Sequence, residues 1–264
     1  MVRVKLFHHI DCIATTDGVL LEWRLKDECR PRSFQVLANK IDRQVVINSP
    51  LLYTGRCYIK TDFSGLVNSY QVRVTLTNGE IELSPELSPQ AVGKQARKLL
   101  SEIRRREVVY MNSHPYGCYE FRLFLKNQYG VDCDVCGSAL CSGAGGSAID
   151  PGCPVCLGTG LKDPYYLYPK KELMLAVNPK DDKITGSEGT QRNIVTRAFR
   201  TVCPLYLRED DILMTCNEAY VVKSQEVVAS VGNMPACYML TCVQLPTAEP
   251  RYPVLRELVR RSNG

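Results

Sequence analysis

Five cysteines lie between positions 133 and 156: Cys133, Cys136, Cys141, Cys153 and Cys156. Four of them form two Cys-x-x-Cys pairs, Cys133-Asp134-Val135-Cys136 and Cys153-Pro154-Val155-Cys156, with 16 residues between the pairs. A Cys-x-x-Cys turn aims two thiolates at one point about 2.3 Å from an ion, and two such turns complete a tetrahedron. The pattern predicts metal ligation by Cys133, Cys136, Cys153 and Cys156, with structural Zn2+ as the expected ion and iron, which the same four thiolates bind, as the alternative. Four protein ligands close the coordination sphere, leaving no position for water or substrate. Gly137 and Gly158 follow the second cysteine of each pair. Glycine there permits a sharp bend and leaves backbone N–H groups to bond the sulfurs. Cys141 is a fifth thiol beside the Ser142–Ser147 glycine-rich stretch, either a free loop cysteine or a substitute ligand. Two rival chemistries use the same residues. A redox pair would need a βαβ setting, which this glycine-rich region does not provide, and two local disulfides would need no metal.

Little else in the chain has the spacing of a reactive centre. The other cysteines, among them Cys216, Cys237 and Cys242, sit singly in apolar surroundings and are expected to be buried apolar residues. A Cys216–Cys242 bridge would require an oxidising medium. The total of thirteen is odd, and the N-terminal residues turn polar too soon for a secretory h-region, so reduced thiols are expected. His8 and His9 are adjacent in a strand-like run and should point to opposite faces, while His114 falls in a turn. Asp181-Asp182 and Asp210-Asp211 read as solvated turns. The Gly-rich loop lacks the Gly-Lys-Ser/Thr of a phosphate-binding loop, and no hydrolase or metalloprotease motif occurs. Enzymatic activity is therefore not expected.

The elements that must carry these residues are mostly strands. The chain has 264 residues, 45% hydrophobic and 23% charged, with a net charge of +5. That is the composition of folded protein, and no apolar run approaches the ~20 residues of a membrane span. Residues 1–85 contain short β-branched and aromatic runs separated by turn residues, including Asn78-Gly79. Residues 86–132 are expected to be a helical linker, with Ser88 as N-cap, Pro89 at the first helical position, and an apolar stripe of Val92, Ala96, Leu99 and Ile103. Its other faces carry Lys94, Arg97, Lys98, Arg104, Arg105 and Arg106. These read as a solvated helix with a basic last turn, or as a surface for nucleic acid or an acidic protein. The run Tyr119–Gly130 could be strand or helix, its aromatic residues belonging to a core or interface. Residues 133–168 form the cysteine module, 169–250 a second β region expected to be a small barrel, and 251–264 a basic tail.

Trp23 on an early strand, Asn48-Ser49-Pro50 with Tyr53, the alternating Tyr70-Gln71-Val72-Arg73-Val74 and the exit at Ser84-Pro85 resemble a fibronectin type III or immunoglobulin-like domain. That resemblance implies a β-sandwich serving as a spacer or adhesion module. The Cys153–Gly160 wording is also similar to the cysteine-rich region of Hsp40 co-chaperones. The chain lacks their repeats and their His-Pro-Asp signature, His114-Pro115 being followed by Tyr116.

A basic helix from Lys94 to Arg106, then Cys133 to Gly160, then Tyr165-Tyr166 with Pro169, then a β-rich C-terminal part resembles a group of tailed-bacteriophage virion proteins. Asp163-Pro164 departs from the glycines of that pattern. The run Arg208–Leu213 followed by Tyr220-Val221-Val222 resembles the exposed acidic turn and hairpin of small head–tail joining barrels. The resemblance implies a mainly β, multidomain chain: an N-terminal sandwich, a linking amphipathic helix, a zinc ribbon and a C-terminal barrel. It implies a non-enzymatic virion protein, assembled in the host cytoplasm, that joins head and tail in the neck. Its expected partners are copies of itself in a homo-oligomeric ring and other neck, connector or tail proteins, with no membrane. A baseplate or fibre-attachment protein shares the architecture. A nucleic-acid-binding zinc ribbon is a further alternative, though Ser138–Asp150 contains no Lys or Arg to neutralise phosphate.

Overall fold

The structure is a computed structural model that describes residues 6–14, 18–26, 31–40, 44–47, 55–60, 67–89, 93–115, 118–136, 150, 152–177, 196–232 and 234–262. The fold is mainly β, with two helices among the described residues. The chain separates into two compact units. One comprises residues 1–94, 127–149 and 159–164, and the other residues 95–126, 150–158 and 165–264.

Among the described residues, the first unit contains seven strands: β1 (Phe7–Ala14), β2 (Gly18–Leu25), β3 (Pro31–Lys40), β4 (Gln44–Val46), β5 (Arg56–Lys60), β6 (Val67–Leu76) and β7 (Ile81–Leu83). They form two antiparallel sheets, ordered β1-β2-β5 and β4-β3-β6-β7. Alternation decides which side chains turn inward. Val19, Leu21, Trp23 and Leu25 of β2, Phe34, Val36 and Ala38 of β3, and Tyr70, Val72 and Val74 of β6 share one buried cluster. The β6–β7 hairpin turns at Asn78-Gly79, where Gly79 has φ +86°, a left-handed conformation that costs glycine nothing. Past β7, Ser84 still serves β6: its hydroxyl accepts the Val72 N–H at 2.9 Å, and Leu87 pairs in both directions with Tyr70. Tyr129, far along the chain, also packs against this cluster.

In the second unit, α1 spans Lys94–Ser113. This differs from the expected helix at both ends. Leu87 is committed to a strand-like pairing with Tyr70, so Ser88 and Pro89 precede the helix by several residues and do not cap it. The buried face is rotated by one residue from the expected stripe. Leu100 and Met111 are fully buried and Leu99 is half exposed, because packing within the unit selects the inward face. The Arg200 guanidinium donates twice to the Glu107 carboxylate, at 2.7 and 2.8 Å, and lies over the Tyr110 ring. Arg104 donates to the Val202 carbonyl. Arg105 and Arg106 both pair with Glu102. The helix continues beyond these arginines, so its last turn is not basic.

The described strands of the second unit form a closed six-stranded barrel, built from β8 (Tyr119–Lys126), β9 (Tyr165–Val177), β10 (Thr196–Thr201), β11 (Ile212–Met214), β12 (Ala219–Val231) and β13 (Met234–Gln244) in the order β10-β13-β12-β11-β8-β9. The ambiguous Tyr119–Lys126 run is therefore a barrel strand rather than part of a linker. Tyr165–Tyr168, assigned by sequence to the cysteine module, open β9. Phe121, Phe199 and Tyr220 meet edge to face, with centroids 5.0 to 6.2 Å apart. A second cluster includes Phe124, Ile212, Val221, Tyr252 and Leu255, the last two from α2 (Arg251–Ser262).

The Asp210-Asp211 turn is not a solvated acidic turn. Asp211 is 1% exposed. Its carboxylate accepts the Arg208 N–H at 2.7 Å and the Lys126 N–H at 2.8 Å. Asp210 adopts φ +69° and pairs with the Lys126 ammonium at 2.9 Å. The turn is an internal tie between the end of β8 and the entry to β11. Asp181-Asp182 lie outside the described residues.

Candidate metal centre

The cysteine segment, residues 127–164, is the connection between β8 and β9. Its two ends are joined at the base, where Asn127 N–H donates to the Pro164 carbonyl at 2.9 Å and the Asn127 side-chain amide donates to the Asp163 carbonyl at 2.7 Å. Above that base the strands make a minimal ladder. Lys162 N–H donates to Val131 O at 2.9 Å, Asp132 bridges Leu161, and Cys133 N–H donates to Gly160 O at 2.8 Å. The ladder ends at the first Cys-x-x-Cys turn.

The second turn is held by its own backbone. Asp150 begins it, its carbonyl accepting Cys153 N–H at 3.1 Å and its carboxylate accepting Gly152 N–H at 2.8 Å. Leu157 N–H then donates to Cys153 O at 2.9 Å. Leu157 (φ +50°) and Gly158 (φ +79°) are both left-handed, and Gly160 repeats this at φ +78°. Gly158 is thus used as the sequence predicts, for a reversal that side chains resist. Leu157 accepts the same conformation at a cost and is buried beside the cysteines in the chain.

These turns bring together the four predicted ligands. Cys133, Cys136, Cys153 and Cys156 are all buried, and their sulfurs lie within 4.8 Å of one another. None of the four forms a disulfide, so the local-disulfide alternative is not the arrangement seen. A tetrahedron with about 2.3 Å metal–sulfur bonds has sulfur–sulfur edges of about 3.8 Å, so a small inward movement of the thiolates would seat an ion. The donor set, four soft thiolates shielded from water, fits Zn2+ or iron and suits neither Mg2+ nor Ca2+. No His or carboxylate joins the group, and no other cluster of this kind occurs among the described residues. The turns present Val135 and Val155 outward, with Lys162 pairing Asp134 at 3.5 Å on the surface. Gly137 and Cys141 lie outside the described residues.

The other predicted cysteine roles divide. Cys237 and Cys242 are fully buried, as expected, whereas Cys216 is exposed on the turn joining β11 to β12, where the chain folds back too tightly to bury it. Burial pushes the Cys57 thiol up to about 12, and burial followed by the Asp11 charge does the same for Cys12. Cys242 is raised further by burial. His9 pairs with Asp11 at 2.8 Å, and His8 is exposed. The tie made by Asp211 had one sequence signal, its place immediately before the apolar Ile212-Leu213-Met214 run, and that signal does not distinguish it from Asp210.

No protein-family model, curated protein or solved structure matches this chain. No helix among the described residues is long and apolar enough to cross a membrane.

Proposed function

We propose that the protein is a non-enzymatic structural component of a tailed-phage particle, placed in the neck between head and tail, with a structural Zn2+ held by Cys133, Cys136, Cys153 and Cys156. The observation that carries this reading is the convergence of four buried thiols, on two Cys-x-x-Cys turns, at the end of a connection whose described residues form a minimal ladder. Such a segment buries too little to fold by itself, and a four-thiolate ion supplies the missing free energy. Zinc suits it better than iron where no electron transfer is needed, since zinc has no redox chemistry. With four protein ligands the ion offers no site for substrate, which favours a structural role.

In this reading the first unit is a sandwich of the fibronectin III or immunoglobulin class. Its strands divide as 1-2-5 and 4-3-6-7, which differs from the constant immunoglobulin arrangement only in the sheet that takes the fourth strand. Trp23 fills its core, and Tyr70 is buried near the start of the sixth strand, where such sandwiches place a corner tyrosine. The barrel and α2 would meet copies of the chain and neighbouring virion proteins in a cyclic ring. A baseplate position uses the same architecture. Binding to nucleic acid is less favoured, because Arg104 is engaged by Val202 and Arg105 and Arg106 by Glu102.

Elemental analysis of the purified, reduced chain together with light scattering tests this. One zinc per chain, cobalt-substituted spectra of a tetrahedral thiolate site, and a mass that is a multiple of the monomer are expected. A metal-free, monomeric chain would overturn the reading, and salt-sensitive DNA binding would move it to the nucleic-acid alternative.

A further inference from the structure

We propose that metal loading of the cysteine segment controls the stability of the N-terminal seven-stranded unit, with Tyr129 as the connecting side chain. The proposal rests on the metal reading above and extends it from a local staple to a switch on a distant part of the sequence.

Tyr129 lies four residues before Cys133, between the Asn127–Pro164 base and the first Cys-x-x-Cys turn. Its ring packs on Phe34 at 5.0 Å, and Phe34 packs on Trp23 at 5.3 Å. Its hydroxyl oxygen accepts the Leu25 N–H at 3.3 Å, at the end of β2. One residue of the cysteine segment therefore completes the core formed by β2, β3 and β6. Among the described residues, an isolated bridge between Asp132 and Leu161 and the base bonds of Asn127 hold the segment in that position. Four thiols without an ion give its upper end nothing comparable to metal–sulfur bonds, so its order depends on the metal. When the segment loosens, Tyr129 loses its fixed position and the core loses an aromatic contact. Linkage makes the effect reciprocal: whatever the metal contributes to the core, the core contributes to metal affinity.

The protein carries its own reporter, because Trp23 is the only tryptophan. Urea unfolding of the full-length chain, followed by Trp23 emission under reducing conditions, is compared for the Zn2+-loaded and chelator-stripped forms, with bound Zn2+ measured in parallel. The stripped wild type is expected to unfold at lower urea than the loaded form. Cys136→Ser in the presence of Zn2+ should behave like the stripped wild type. Tyr129→Ala should bind Zn2+ on the order of tenfold more weakly and show little metal dependence of the Trp23 midpoint. Tyr129→Phe keeps the ring and should retain most of that dependence, which separates loss of the contact from a general folding defect. One bound Zn2+ with an unchanged Trp23 midpoint would overturn the coupling and leave the metal reading standing. Equal metal-dependent shifts in Tyr129→Ala and wild type would also overturn it. Absence of bound Zn2+ would overturn both.

Discussion

Replacing Asp211 by Asn should destabilise the barrel unit by about 3 kcal/mol, although the change preserves volume. The buried carboxylate accepts two backbone N–H groups on different oxygens, Lys126 at 2.8 Å through Oδ1 and Arg208 at 2.7 Å through Oδ2. An amide has one oxygen, so one of those N–H groups would face the new NH2 and stay unpaired. The loss is one charge-assisted hydrogen bond, about 1.5–3 kcal/mol, plus the desolvation of a stranded donor, about 1–3 kcal/mol, with partial relaxation reducing the sum. At about 2–4 °C per kcal/mol for a protein of this size, the melting transition should fall by about 6–12 °C. Differential scanning calorimetry of the metal-loaded chain measures it. Glu209→Gln is the control, since Glu209 is exposed and pairs with Lys223 at 3.5 Å on the surface, and it should cost less than about 0.5 kcal/mol. An Asp211→Asn variant that melts with Glu209→Gln would refute the claim that this carboxylate ties β8 to the β11 turn.

Two further outcomes follow from particular contacts. Gly18→Ala places a Cβ 2.3 Å from the Ile59 carbonyl oxygen, so β2 and β5 must separate locally; a loss of about 1–3 kcal/mol in the Trp23-monitored transition is expected, and a neutral effect would contradict the register. Alkylation at pH 8.5 should label Cys216 well before Cys12 and Cys57. With pKa values near 12 those two keep less than about a thousandth of their thiol as thiolate at that pH, and their reactivity should rise only as pH approaches that value. Peptide mapping that found Cys12 or Cys57 labelled first would count against their buried setting.

The strand content was legible because period-2 alternation is local. Val19, Leu21, Trp23 and Leu25 announce an inward face without knowledge of any partner. The four ligands were legible for a related reason, since a Cys-x-x-Cys turn defines its own geometry. Residues whose role depends on a distant partner were not. Tyr119–Lys126 reads equally as strand or helix, and pairing with β9 and β11 makes it a barrel strand. The buried face of α1 lies one residue from its apolar stripe: Leu100 is buried and Leu99 half exposed, on the side where Arg104 and Glu107 bond Val202 and Arg200. Asp210 and Asp211 look alike in sequence. Backbone N–H groups from positions 126 and 208 made one a buried tie, and the ammonium of Lys126 made the other a half-exposed ion pair.

Periodicity and short-range spacing act through the neighbouring chain alone, and they suffice to mark the chain as β-rich and to group Cys133, Cys136, Cys153 and Cys156. Long-range packing, in contrast, makes the strands on either side of the cysteine segment close one barrel and puts Tyr129 in the core of the first unit. Those facts rest on contacts between residues roughly a hundred positions apart, such as Leu25 with Tyr129, whose free energy comes from burial and hydrogen bonding that no local pattern encodes.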